Sequence, residues 1–460
     1  MNPQKRMTTM GAGVLTATLV LAACSGAGGG GGSGGGAAAE NGGTADTINV
    51  IMVNNPQMVD LQELTEEHFT AESGITVNYT VLPENDVRDR ISQEFSSQSG
   101  QYDVATISNY EVPIFGTNEW LAPLDDFAEG DAEFALDDIL GPITESMRGP
   151  DGDLFGIPFY GESSFTMYRT DVFDELGLTM PENPTWDEIA ELAEQVHTSD
   201  AGMAGICLRG LPGWGQIFAP LTTVVNTFGG TWVDEDWAPQ VDSPEFVEAV
   251  EFYVDLVTSY GQSGAAQSGF TECLNNMTQG ETAMWYDATS AAGSLEASGS
   301  PVQGQVGYAP APVKETDGAG WLYAWSWGVQ AASEKQDAAW EFISWASSQE
   351  YEELVGAELD WSRVPAGKRA STYENPDYLE VAGAFAEPTL EAIEAARPTD
   401  PGLQPRPVVG IQFMAFPEFA DLATRVSEDV SSAIAGQMAV QEALDAGQAT
   451  AESVLAHYQE

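Results

Sequence analysis

The order of elements just after residue 46 constrains this chain more than any other feature. Residues 47–54 (TINVIMVN) read as a buried strand. Residues 58–71 carry Leu61, Leu64 and Phe69 near helical spacing. Residues 75–81 (ITVNYTV) alternate like a strand, 86–95 are helical, and 102–107 (YDVATI) are a strand again. Strands joined through helices pair in parallel, because a parallel pair needs a crossover, and the helices then cover the sheet faces. The expectation is an α/β lobe. Ligands of open α/β sheets sit outside the carboxyl ends of strands. That rule points to Asn54 and Asn55 after the first strand, and to Asn109, Tyr110 and Glu111 after the third.

Beyond this lobe, residues 155–170 (FGIPFYGESSFTMYRT) predict two short extended segments around Gly161. Helices are expected at 185–196, 243–259 and 440–457, and strands at 284–286 and 322–329. A folded part of this length suits two lobes.

The first residues read as an export signal. Lys5 and Arg6 precede an apolar run at 14–22, and Leu21, Ala22, Ala23 and Cys24 form a lipobox. Cys24 is the expected lipidated residue. Residues 25–44 are almost all Gly, Ala and Ser, a composition that makes a flexible tether. No later run of about 18 apolar residues predicts a membrane span. The chain carries 15 Lys+Arg against 71 Asp+Glu, a net charge of −56. That sign repels nucleic acid and anionic lipid surfaces, and it suits a saline habitat where counterions screen the repulsion. At 43% hydrophobic residues the chain is no disordered acidic segment. With Cys24 lipidated, Cys207 and Cys273 remain in an oxidising compartment, either as a disulfide or as two buried thiols.

Few motifs carry chemistry. His68, His197 and His457 are far apart and read as surface residues. No Walker-type loop or EF-hand pattern occurs, and the GxSxG pattern falls only around Ser33 inside the tether, where no nucleophile elbow can form. Among so many acids, a pair of carboxylates placed for glycoside hydrolysis cannot be singled out. The stronger signal is aromatic. Trp214, Trp285, Trp321, Trp325, Trp327 and Trp361 stand among Gly, Ser and polar residues. The odd spacing of Trp321, Trp325 and Trp327 predicts one face of one strand, with Trp325 divided between ligand contact and core, and the other two assigned to core. Indole faces offer apolar contact to the C–H faces of a polyol, and carboxylates, amides and arginines bond its hydroxyls.

Several segments together resemble the family 1 extracellular solute-binding proteins of bacterial ABC transporters, most of all their sorbitol/mannitol-binding group. They include GQYDVATISNYEVPIF (100–115), IPFYGESSFTMYRTDVF (157–173), GICLRGLPGWG (205–215), GETAMWYDAT (280–289), WLYAWSWG (321–328), STYENPDY (371–378) and VVGIQFMAFPEF (408–419). The resemblance implies two α/β lobes of the type II periplasmic-binding-protein fold, joined by a multi-strand hinge with the ligand in the cleft between them. It places Asn54, Asn55, Tyr110 and Glu111 on one cleft edge. It places Tyr160, Glu162, Arg209, Trp214, Trp285, Asp287 and Trp325 at the hinge and on the other lobe. Where such proteins have a small residue, the WSRVP segment carries Arg363, expected near the cleft edge.

The expected organisation is a signal at 1–23, a lipidated cysteine and tether at 24–44, an N-lobe at 45–161 plus 326–375, and a C-lobe at 162–325 plus 376–460. The expected function is capture of a sugar alcohol and its delivery to the permease subunits of an ABC importer. A mono- or oligosaccharide binder and, in another class, a lipid-anchored glycoside hydrolase are the alternatives. A binding protein of this kind is a monomer that catalyses nothing, carries no cofactor or metal, meets the membrane only through its lipid and binds no nucleic acid. Glu162 is the expected central acceptor, with a hinge ion pair to Arg169 as its competing role.

Overall fold

Val, Ile and Met fill the strand β1 (Thr47–Val53), whose last four residues are all buried. It lies between two parallel neighbours, β2 (Thr76–Leu82) and β3 (Val104–Ser108). The helices Pro56–Thr65 and Glu84–Ser96 make the crossovers, and the first starts with Pro at the position where a missing N–H costs nothing. The computed structural model describes residues 47–199 and 202–459. The signal, Cys24 and the glycine tether lie outside the described residues.

The chain then supplies β4 (Ile157–Glu162), β5 (Ser164–Arg169), β6 (Met284–Ala288), β7 (Val306–Pro310) and β8 (Tyr323–Val329). β8 inserts between β3 and β4, antiparallel to both, so the larger sheet runs β2-β1-β3-β8-β4. The smaller sheet is antiparallel, in the order β6-β5-β7. Only Ser163 separates β4 from β5, so the chain leaves one sheet and enters the other across one residue. Each sheet is the centre of one lobe. The larger is covered by the helix Gln336–Ala346, where Phe342 packs edge-on against Trp327 at 5.6 Å. The smaller lobe holds the helices Pro244–Tyr260, Phe419–Ile434 and Val440–Leu455. There Cys207, which bridges to Trp285 of β6, is joined to Cys273 in the helix Phe270–Thr278. Among the described residues no helix is long and apolar enough to cross a membrane.

Two details differ from the sequence reading. The break between the extended segments falls at Ser163, and Gly161 lies inside β4. Its amide donates to Ala366 O at 3.1 Å, and a Cβ on Gly161 would stand 2.2 Å from Gly367 O. Close approach of two backbones is what this glycine supplies. Trp321 is the second departure: β8 begins at Tyr323, so Trp321 lies before the strand and not on a shared face with Trp325 and Trp327. Its ring meets Tyr286 of the smaller sheet, whereas Trp327 is buried against Phe159 of the larger one.

Candidate ligand-binding site

A cavity lies at the carboxyl end of β4, between residues of the two sheets. Because β8 runs antiparallel, its first residue, Tyr323, sits opposite Glu162, the last residue of β4. Both line the cavity, with Asn55 from the turn after β1. Of the five positions to which the carboxyl-end rule pointed, Asn55 alone lines this cavity.

Two buried arginines dominate the lining. The Arg209 guanidinium donates to both oxygens of Asp287, at 2.8 and 2.5 Å, and to Gly215 O at 3.1 Å. Asp287 also accepts from Trp285 Nε1 at 3.0 Å. Arg88 donates to Glu84 Oε1 at 2.8 Å, to Tyr323 Oη at 2.7 Å and to Glu111 Oε2 at 3.3 Å. Its guanidinium carbon lies 4.1 Å from the ring centre of Trp214 and 4.5 Å from that of Trp325. Burial pulls both guanidinium groups down, and their neighbours outweigh it: Tyr323, Glu84 and Glu111 for Arg88, Asp287 and the nearby glutamates for Arg209. Both arginines stay charged.

Glu162 differs from the other acids. It is 7% exposed. It accepts one hydrogen bond, from Ser290 Oγ at 2.5 Å. Burial pushes its carboxyl up to about 8; the Ser290 bond and the charge of Arg209 oppose the rise without cancelling it. Arg169, its alternative partner, is instead bound to Asp171. Asn55 Nδ2 donates to Tyr160 Oη at 2.8 Å. Gln412, Phe413, Phe270 and Trp321 complete the wall with Trp325. The arrangement offers charged and amide hydrogen-bonding groups beside aromatic faces, which suits a small neutral compound rich in hydroxyls. No group of three or more His, Cys, Asp and Glu side chains is placed to hold a metal ion among the described residues.

Of the residues named from sequence as ligand contacts, Asn55, Tyr160, Glu162, Arg209 and Trp325 line this cavity, and so does Trp321, which the sequence had assigned to the core. Trp214, Trp285, Asp287 and Glu111 stand behind it and hold its arginines. The Tyr110 hydroxyl is turned away from the cavity and donates to Phe416 O at 2.9 Å, with its ring against Trp214 and Phe419. Asn54 is exposed at the end of β1. Arg363, expected near the cleft edge, pairs with the buried Asp60. The sequence reading passed over Glu84, Arg88, Ser290, Tyr323, Gln412 and Phe413. For three of these, Tyr323, Gln412 and Phe413, a signal existed, since WLYAWSWG and IQFMAF were already singled out as motifs.

The model of the bacterial extracellular solute-binding protein family matches residues 55–353. The mannitol-binding protein of Pseudomonas aeruginosa is 40% identical over 407 residues, which cover 88% of this chain and 92% of that protein. The erythritol/L-threitol-binding protein of Mycolicibacterium smegmatis is 27% identical over 67% of this chain and 68% of its own length. The crystal structure of an ABC transporter solute-binding protein from Agrobacterium vitis S4, with bound D-mannitol, superposes with a TM-score of 0.87. It is 41% identical and covers 90% of this chain and 99% of that one. The chain belongs to the bacterial extracellular solute-binding protein family. Its place of work is outside the cytoplasm.

Proposed function

We propose that this protein captures a six-carbon sugar alcohol of the mannitol and sorbitol kind and delivers it to the permease of an ABC importer. The observation that carries the reading is the buried Glu162, with one hydrogen-bond donor, in a cavity also lined by Arg88, Arg209 and the Trp325 indole. A carboxylate can accept two hydroxyl bonds, and charged acceptors are the stronger ones. The Pseudomonas aeruginosa relative, named for mannitol, and the Agrobacterium vitis structure holding D-mannitol support the same ligand class. The proposed N-lobe is 45–161 plus 326–375 and the proposed C-lobe 162–325 plus 376–460. The chain is tethered through a lipid on Cys24, works as a monomer and catalyses nothing.

A thermal-shift and calorimetry panel of mannitol, sorbitol, arabitol, xylitol, maltose and glucose tests the reading. A ligand at 100 times its dissociation constant adds about 2.7 kcal/mol to the folded state. Stabilisation by the six-carbon alcohols beyond that by maltose is the expected result, and a flat response to every polyol overturns it. Steady release of reducing ends from oligosaccharides would reject the binder in favour of a hydrolase.

A further inference from the structure

The GICLRGLPGWG motif places both Arg209 and Gly215 in the cavity wall, and its last residues also reach beyond that wall to the other lobe. Residues 212–216 belong to the lobe of the smaller sheet: Gly213 N donates to Ser427 Oγ of the Phe419–Ile434 helix, and Gly215 O accepts from Arg209. They meet the first turn of the helix Glu84–Ser96, which belongs to the larger sheet. Asn85 Nδ2 donates to Pro212 O at 3.0 Å. Gln216 Nε2 donates to Glu84 Oε2 at 2.9 Å. The Arg88 guanidinium lies flat between Trp214 of this turn and Trp325 of β8. All three contacts cross from lobe to lobe.

Gly215 is the informative residue. A Cβ there would lie 2.7 Å from Arg88 Nε, 2.7 Å from Glu84 Oε1 and 3.0 Å from Arg88 Cζ. Its three nearest obstacles all belong to the opposing helix, none to its own lobe. Its φ is not in the left-handed region, so its backbone does not demand glycine. The space at Gly215 is needed only when the two lobes are together.

We propose that residues 212–216 and the Glu84–Arg88 turn form a clamp that retains the bound solute, with Arg88 as the positioning residue and Gly215 as its seat. This rests on the reading of the chain as a two-lobed solute-binding protein. The clamp sets how long the ligand stays. Capture precedes closure, so a damaged clamp changes the dissociation rate and leaves the association rate alone. Arg88 reports ligand occupation to the clamp because one guanidinium touches the cavity wall at Trp325 and Tyr323 and the opposite lobe at Trp214. Lysine cannot replace it, since an ammonium has no plane to stack between two indoles.

The test uses the full chain, D-mannitol as probe and stopped-flow tryptophan fluorescence. Gly215→Ala is expected to raise the dissociation rate about tenfold or more, with the association rate within about twofold. The ligand-free melting temperature should stay within about 2 °C of wild type, because the open lobe accommodates a methyl. Asn85→Ala, which loses only the bond to Pro212 O and does not line the cavity, should show the same split. Unchanged dissociation in a folded Gly215→Ala protein overturns the proposal, as does a ligand-free protein destabilised as much as its complex. Small-angle scattering keeps the two readings apart. If wild type does not bind mannitol, the solute reading falls; the clamp is then judged on the panel compound that does bind, where compaction of wild type but not of Gly215→Ala on its addition supports the clamp and equal compaction overturns it.

Discussion

Replacing Glu162 with Gln should make the empty protein more stable and the binding protein worse. The carboxyl is raised from 4.5 to about 8, first by burial. A folded acid with a raised value binds more protons than its unfolded form, so its contribution is complete below pH 4.5 and is lost as pH climbs toward about 8. Each pH step inside that window costs about 1.4 kcal/mol. By pH 7 the wild type has therefore given up on the order of 3 kcal/mol at this one side chain. Glutamine has no proton to lose and keeps an oxygen for Ser290 Oγ, so the variant should escape that loss. The ligand sees the opposite change. Above about pH 8, where Glu162 is ionised, loss of this charged acceptor for the ligand's hydroxyls should weaken binding by about 1.5–3 kcal/mol, roughly 10- to 150-fold. Urea unfolding of both proteins at pH 5 and pH 7.5, with calorimetry against D-mannitol above pH 8, measures both effects. The two stability curves should diverge as pH rises. Parallel curves refute the buried-acid argument, and unchanged affinity in a folded variant removes Glu162 from the ligand contacts.

Three further outcomes follow from the structure. Reduction of the Cys207–Cys273 bridge, which spans 66 residues, should cost about 4 kcal/mol by the loop-entropy relation; an unfolding midpoint indifferent to reductant refutes this. Lys368 is fully buried against Glu352. Lys368→Met should strand that carboxylate and cost about 3–5 kcal/mol, with Glu352→Gln in the same chain restoring part of it; an unchanged melting temperature in the single variant counts against a buried charge pair. With a net charge of −56, the melting temperature should rise as NaCl shortens the screening length from about 10 Å at 0.1 M to about 3 Å at 1 M, and a flat response would show that self-repulsion is unimportant.

Local patterning made β1, β2 and β3 and their parallel order readable, because each strand and its crossover helix carries its own periodicity. The insertion of β8 between β3 and β4 was not, since no local pattern tells a strand which distant edge to join. The three tryptophans near β8 show the limit of alternation. The spacing of Trp321 matched the strand, yet the strand starts two residues later and Trp321 serves the other lobe. Arg88 escaped notice for a different reason. Glu84 and Arg88 stand four apart on a helix, a pattern ordinarily found on solvated surfaces. The approach of Trp214, Tyr323 and Trp325, all distant along the chain, buries it. The charge excess disguised Arg363 similarly: an arginine near a cleft reads as a ligand contact until Asp60 is seen to hold it.

The position of β8 has a consequence for how the chain is made. Ser326 Oγ on β8 donates to Ile107 O on β3, a contact spanning 219 positions. Until residue 329 has emerged, β3 and β4 have no strand between them and the first sheet stays open. Contacts this far apart close slowly, because the loop entropy comes due before the sheet rewards it. The leading two-thirds of the polypeptide therefore lacks a finished structure while synthesis continues.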